Sequence, residues 1–211
     1  GYKVSDDKLT WTVTIRDDAK FTDGEKVTAQ DVAFTYQTAK ESGSEIDLTM
    51  IDKITAKDDT TIEFKLNRTY SAFMERLAYL GIVPEHAYDE NFKDNPIGSG
   101  PYEFVQWDKG QQVIAKANEN YYGDKPQIKQ LTMVFLDTDA AYSALQKGDV
   151  DVCQINGNLA DKKVDGAKVI DIDSIECYGV EFPMQKSGKK AKDGYEMGNN
   201  VTSDEAIRKA L

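Results

Sequence analysis

Few residues in this sequence have the types and spacing needed for catalysis. A hydrolase needs a nucleophile beside a general base, but the only histidine, His86, follows a proline in a predicted surface turn. Gly98 and Gly100 have the spacing of part of a phosphate-binding loop, yet no Lys-Ser or Lys-Thr pair follows where such a loop requires one. We therefore expect a structural His86, a tight turn at the two glycines, and a protein that is not an enzyme.

Two pairs of aspartates have the spacing of metal ligands. Asp137 with Asp139, and Asp149 with Asp151, could each offer carboxylate oxygens to calcium. Neither pair comes with the number of ligands that a calcium loop supplies. The first pair is therefore interpreted as the N-cap of a helix and the second as part of a turn. The sequence predicts no metal site and no cofactor.

Composition limits the classes of partner. The chain has 211 residues, of which 40% are hydrophobic, and this is enough for a folded core. Its formal net charge of -11 repels nucleic-acid backbones and anionic lipid heads wherever salt does not screen the charge. No nucleic-acid partner is therefore expected. Two cysteines, Cys153 and Cys177, are too few to indicate the redox compartment.

The elements that would position these residues divide near residue 82. Before this boundary, alternation and helical spacing predict a strand, a helix, a hairpin and a short helical segment. Thr28 and Asp31 have the spacing of a capping box at the start of the helix, and Asp58-Asp59 forms the turn of the hairpin. The predicted elements cover residues 9–16, 29–41, 51–57 with 60–66, and 71–79.

After residue 82 the pattern changes to strands around one helix. The segment Asn95–Tyr102 contains two glycines and two prolines, which predict a rigid turn before a strand. A strand, a helix and a strand over residues 129–154 suggest a parallel crossover. A mobile basic loop is predicted at 186–192 and a capped helix at 202–211. Strands are predicted at 101–107, 111–117, 129–136, 150–154, 167–172 and 177–182, and a helix at 138–147.

Several motifs follow one another in a recognisable order. An aromatic residue, Asp-Gly and Thr-Ala with an acid and a valine occur in Phe21–Tyr36, and Gly-Ser-Gly-Pro-Tyr occurs in Pro96–Phe104. Asn-Glu-Asn-Tyr-Tyr opens Asn118–Lys129, Gly-Asp-Val-Asp closes Leu145–Asp151, and an acid with Ile-Arg and Ala-Leu occurs in Ser203–Leu211. Together these motifs resemble the extracellular solute-binding proteins of the peptide/nickel ABC-transporter family. Two departures are mild: serine at position 99 replaces threonine, and tyrosine at position 122 replaces tryptophan.

The resemblance implies an α/β fold of the type II periplasmic-binding-protein class, with mixed sheets and helices in a two-lobed clamp. Residues 1–82 would form a small subdomain of the first lobe. Residues 83–211 would form part of its larger subdomain, truncated before the second lobe. The implied protein is a monomeric substrate-binding component of an ABC importer, which captures short peptides and delivers them to a membrane permease. It would act in the periplasm, or at the extracellular face of the membrane with a lipid anchor in the full-length form.

The resemblance also implies where ligand binds. Residues 173–182 are similar to the strand that faces the family's cleft, where an extended peptide pairs like an added strand. The candidate contacts there are Glu176, Cys177, Tyr178 and Gly179. A packing role for Tyr178 remains an alternative, as does a buried thiol or a disulfide to the second lobe for Cys177. Proline at position 183 and methionine at position 184 replace the family's asparagine shortly after this strand.

Three further ligand contacts are predicted. Gln154 and Asn156 follow a predicted strand at its carboxyl end, where open α/β sheets tend to bind ligands. Tyr79 lies near the predicted subdomain junction. The alternatives are an ordinary polar loop for the first two residues and a packing role for the tyrosine.

Three other functions remain open. A carrier of nickel, of another metal complex or of another small solute would use the same fold, but the sequence offers few His, Met or Arg groups near the predicted cleft. A peptide-sensing surface receptor would need no transporter. A hydrolase is disfavoured because the sequence lacks a paired base.

Overall fold

The computed structural model describes residues 1–43, 46–155, 159, 162, 164–170, 172, 184–192 and 194–210. The chain divides into two compact units, residues 1–140 and 141–211. The first unit contains a four-stranded and a three-stranded sheet, both antiparallel. The predicted boundary near residue 82 lies in sequence between these two sheets and remains a prediction.

The four-stranded sheet has the order β1-β2-β4-β3. The alternation predicted for β2 and for the hairpin β3-β4 is confirmed, because Trp11, Ile62 and Phe64 are buried on one face. Strand β1 was not predicted, since its three residues are too few to show a period and all are exposed. The strands are β1 (Tyr2–Val4), β2 (Thr10–Thr14), β3 (Ile51–Ala56) and β4 (Thr61–Leu66).

Helix α1 (Ala29–Glu41) packs on the buried face and has the predicted bounds. Its capping box is confirmed: Asp31 N donates to Thr28 Oγ1, and Thr28 N donates to the Asp31 carboxylate over 2.9 Å. Val32 and Tyr36 of α1 are buried. Phe34 instead packs edge-on against Tyr88, with ring centres 5.5 Å apart.

The second predicted helix is shorter than expected. Helix α2 (Phe73–Leu77) has five residues, and its N-cap, Ala72, makes no side-chain capping hydrogen bond. The helix is held by packing, because Phe73 is buried and contacts Phe64 with ring centres 5.4 Å apart.

The three-stranded sheet has the order β5-β6-β7 and contains three of the predicted strands. A β-bulge interrupts the pairing of β5 with β6 between Phe104 and Gln106. Ala115 and Ala117 are its buried residues. The strands are β5 (Tyr102–Asp108), β6 (Gln112–Ala117) and β7 (Gln130–Val134).

Helix α3 (Thr138–Lys147) also has the predicted bounds. Ala140 N donates to Asp137 Oδ1 over 2.8 Å, which confirms Asp137 as an N-cap. The strand predicted at 150–154 is wrong, because those residues form no ladder, and the parallel crossover that depended on it is not formed. Residues 167–170 and 172 are likewise not a strand. Alternating side chains make a strand only where a neighbouring strand supplies hydrogen bonds, and Val152 is instead 84% exposed.

The rest of the second unit is partly described. Two short strands, β8 (Lys189–Lys190) and β9 (Glu196–Met197), form a hairpin where a mobile loop was predicted. Helix α4 (Glu205–Ala210) confirms the predicted terminal helix. The strand predicted at 177–182 lies outside the described residues. Among the helices that the structure describes, none is long and apolar enough to cross a membrane.

Candidate functional site

The Asp-Gly motif of the first half contacts the glycine-rich motif of the second half. Phe21 is buried, Gly24 N donates to Phe21 O over 3.0 Å, and Gly24 has a φ of 97°, which favours glycine. This turn presents Thr22 N, which donates to Gly98 O over 2.8 Å. A backbone hydrogen bond therefore joins two motifs that lie more than 70 residues apart in sequence.

The two glycines of the second motif were expected to shape a tight turn through their backbone conformation, but the structure uses them in another way. Neither Gly98 nor Gly100 has a positive φ, and a Cβ added at either position would meet no atom within 4 Å. Neither left-handed backbone nor local crowding therefore demands glycine there. What the structure uses is their carbonyl groups, since Gly98 O accepts from Thr22 N and Gly100 O accepts from Asn118 Nδ2.

Asn118 connects the third motif to the same turn. Only 2% of this residue is exposed, and its Nδ2 donates to Gly100 O over 2.9 Å. Its backbone N donates to Pro101 O over 2.9 Å, and its Oδ1 accepts from Asn120 N over 2.9 Å. A buried amide with its donor and acceptor both used fixes two loops at one point.

Arg16 makes a second contact between the two halves of this unit. Its guanidinium lies over the Tyr122 ring, 4.1 Å from the ring centre, and its Nη2 donates to Tyr122 O over 3.4 Å. The same guanidinium binds both carboxylate oxygens of Asp18, through Nε and Nη2. This hydrogen bond to Arg16 lowers the pKa of Asp18. A Cβ added at Gly123 nearby would lie 2.7 Å from Tyr121 Cε1, so the Tyr121 ring would have to move.

The segment between the two sheets is tied to the start of α1. Asp31 accepts a second backbone hydrogen bond, from Glu85 N over 3.0 Å, and Thr35 Oγ1 accepts one from Val83 N over 3.0 Å. His86 Nε2 lies 2.8 Å from an oxygen of Asp23. This hydrogen bond raises the pKa of His86 and shows a partner that the sequence did not predict, while the structural role of His86 stays a prediction.

These contacts define the motif junction: the Asp23 turn, the Gly98–Pro101 bend, the Asn118–Gly123 loop and the Glu85-His86 turn. A cavity of about 640 Å³ opens beside it, with Glu25, Asp31 and Glu85 among its lining residues. The junction offers hydrogen bonds and charges, and its histidine lies against the carboxylate of Asp23. Among the described residues there is no group of three or more His, Cys, Asp or Glu side chains able to hold a metal ion.

The predicted ligand contacts lie away from this junction or outside the described residues. Tyr79 follows α2 and is 67% exposed, and Gln154 is exposed in the second unit. Glu176, Cys177, Tyr178, Gly179 and Asn156 lie outside the described residues, so their roles stay predictions. Sequence reasoning missed Arg16, Asp23 and the role of Asn118. Asn118 could have been found because it opens one of the motifs. Nothing in the sequence indicates that Arg16 would contact Tyr122.

Known proteins are similar in sequence to this chain over its full length. The model of the bacterial extracellular solute-binding proteins, family 5 Middle, matches residues 1–211. Protein XP55 of Streptomyces lividans is 35% identical over 99% of this chain and 38% of its own length.

Solved structures are similar over the greater part of the chain. NikZ from Campylobacter jejuni, determined in complex with Ni(L-His), is 32% identical with a TM-score of 0.71, and the match covers 75% of this chain and 34% of NikZ. AppA from Bacillus subtilis, determined with a nonapeptide, is 30% identical with a TM-score of 0.62 over 71% of this chain and 33% of AppA. The chain thus spans about a third of the length of these proteins.

Proposed function

Because this chain belongs to family 5 of the bacterial extracellular solute-binding proteins, we propose that the full-length protein is the substrate-binding component of an ABC importer for short peptides. Its mixed α/β fold is part of a lobe of the type II periplasmic-binding-protein class. The observation that carries the proposal is the match over residues 1–211, together with the likeness to AppA in complex with a nonapeptide. The protein acts outside the membrane, as a monomer, and hands its ligand to a permease.

The motif junction supports a binding role and not a catalytic one. Three of the motifs meet there through Thr22, Gly98 and Asn118, and they hold two sheets together by backbone and amide hydrogen bonds. A carrier needs such a rigid lobe, because the free energy of ligand binding is then used to close the two lobes and not to deform one of them. Peptide would be bound elsewhere, by Glu176, Cys177, Tyr178 and Gly179 together with Gln154, Asn156 and Tyr79.

The identity of the ligand is tested on the full-length protein. After gentle purification, the protein is denatured and the released small molecules are identified by mass spectrometry. A mixture of short peptides supports the proposal. Turnover of added peptides, or release of a sugar, contradicts it.

A metal complex is the second candidate, favoured by the likeness to NikZ in complex with Ni(L-His). Calorimetric titration of the emptied full-length protein with Ni²⁺ and L-histidine separates the two. Binding of that complex, with no heat from short peptides, would replace the peptide proposal by a metal-complex carrier.

The proposed peptide platform has a sharper test at Gly179. Gly179→Pro removes one backbone N–H, and losing one peptide hydrogen bond should weaken affinity by about tenfold. Gly179→Ala keeps the N–H and serves as the matched control. Equal affinities in Gly179→Pro and the wild type, with unchanged thermal unfolding, would remove this strand from the binding site.

A further inference from the structure

The face of the four-stranded sheet opposite α1 has an unusual composition. Strand register places Lys53, Lys65 and Thr10 side by side, with Thr55, Glu63, Thr12 and Lys3 in the next row. The paired outward positions of β1 to β4 are therefore lysine, glutamate or threonine, and Asp52 is exposed at the bulge beside Lys53. We call this surface the threonine–lysine face; its charged residues are Lys3, Lys53, Glu63 and Lys65, and threonines occupy its other paired positions.

This face is positively charged on a strongly acidic chain. Glu63 pairs with Lys57 over 3.0 Å, so its charge is neutralised locally. Within the part of the chain that the structure describes, no ion pair involves Lys3, Lys53 or Lys65. Three exposed ammonium groups thus share one face, while the whole chain carries a formal charge of -11.

Lys53 and Lys65 are directly opposite each other on β3 and β4. Like charges at opposite positions of an antiparallel pair destabilise the sheet. Both side chains are exposed, so neither is needed to fill the core. Acids lie nearby at Asp7 and Asp52, and Lys65 contributes to the lowered pKa of Asp7, whose main cause is the hydrogen bond from Ser5. Packing of the core therefore does not account for two adjacent lysines.

We propose that the threonine–lysine face docks on a membrane surface that carries anionic phospholipid headgroups. Neighbouring strands lie about 4.8 Å apart, so the lysines form a spread, nearly planar array. Such an array fits many phosphodiester groups in a plane, with threonine hydroxyls as additional hydrogen-bond donors. A single phosphate would instead need donors that converge on one point.

The charge of the rest of the chain does not prevent this contact. Electrostatic interactions are screened over about 8 Å at physiological ionic strength, so the groups nearest the bilayer decide the orientation. The choice of a lipid surface rests on the proposed function, because a component that delivers solute to a permease works beside a bilayer. Vesicle binding requires no solute, so its outcome is independent of the ligand experiments.

The test is co-sedimentation of the 211-residue chain with vesicles at physiological ionic strength, where the charge of the rest of the chain is screened. Vesicles of 30% phosphatidylglycerol in phosphatidylcholine should bind the chain, and vesicles of phosphatidylcholine alone should not. Replacing both Lys53 and Lys65 by glutamate should lower the bound-to-free ratio by about tenfold or more. The control replaces Lys20 and Lys93, exposed lysines outside this face, by glutamate and has the same net charge. It should stay within about twofold of the wild type.

Equal losses in the two double variants, or no binding of the wild type, would overturn the proposal. Release of the chain by soluble glycerol phosphate at the same phosphate concentration would also overturn it, because a single-phosphate site would then explain the binding.

A single variant separates docking from folding. Lys53→Glu places an acid opposite Lys65, so resistance to urea should rise while vesicle binding falls. If both quantities fall together, Lys53 is a structural residue and the docking surface is refuted.

Discussion

The guanidinium of Arg16 lies 4.1 Å from the centre of the Tyr122 ring and also donates hydrogen bonds to both carboxylate oxygens of Asp18. One side chain just after β2 thus holds the loop that follows β6. The planar guanidinium can do both because its face covers the ring while its edge donates to the acid.

Arg16→Lys should therefore loosen the loop after β6 without unfolding the unit. A lysine ammonium cannot fork to Asp18 and cover the ring together. We expect faster amide hydrogen exchange in residues 119–124, measured by mass spectrometry. The control is Arg68→Lys, whose ion pair with Asp47 is longer at 3.9 Å. Changes confined to residues 16–18 would show that Arg16 does not hold this loop.

Asn118→Ala should destabilise the first unit by about 1–3 kcal/mol, because Gly100 O and Asn120 N would lose their partner beside a buried site. Urea denaturation measures the loss. Asn120→Ala, at an exposed neighbour, should change stability by less than about 0.5 kcal/mol. Similar losses in the two variants would contradict a special role for the Asn118 side chain.

Thr28→Ala should cost about 1 kcal/mol of unfolding free energy, since it removes the hydroxyl that caps α1. Thr28→Ser keeps the capping oxygen and should lie close to the wild type. Thermal unfolding of both variants tests this ordering, and a serine variant as unstable as the alanine variant would point to the lost methyl group instead.

The pair of His86 and Asp23 should make stability depend on pH near neutrality. The Asp23 hydrogen bond raises the folded-state pKa of His86, with further contributions from the charges of Asp31 and Glu25. A raised folded-state pKa gives stability that is fully present below the unfolded pKa, about 6.5. This stability is lost as pH rises through the folded-state pKa. The effect is small because both side chains are partly exposed.

Urea denaturation of the wild type and Asp23→Asn from pH 5.5 to 8.5 tests this dependence. The stability advantage of the wild type over Asp23→Asn should shrink as pH rises through that window. An advantage that is constant with pH would show that the pair does not contribute through protonation of His86.

Local signals predicted most of the first unit. The bounds of α1 and α3 follow from the capping residues Thr28 and Asp137, which act within one turn of the helix. Alternation of side chains also located β2 to β7, because one face of each sheet is more buried than the other and this difference is visible within a single strand. The predicted strand at 150–154 failed because alternation does not specify a pairing partner.

The motif junction could be named from sequence only in part. Its segments were visible as motifs, but their mutual contacts depend on long-range geometry. No local pattern shows that Thr22 N reaches Gly98 O or that His86 reaches Asp23. The glycine-rich bend at Gly98 and Gly100 is the clearest example. Its glycines and prolines predicted a rigid turn, but no local pattern showed that the glycine carbonyl groups would accept hydrogen bonds from Thr22 and Asn118.

The order β1-β2-β4-β3 also has a consequence for biosynthesis. Strand β4 is made last but lies between β2 and β3, so the sheet cannot close until Leu66 has left the ribosome. Until then Trp11 has no Phe64 opposite it, and of this sheet only the pair β1-β2 can form. Any protein that contacts the growing chain before Leu66 emerges therefore meets no finished sheet.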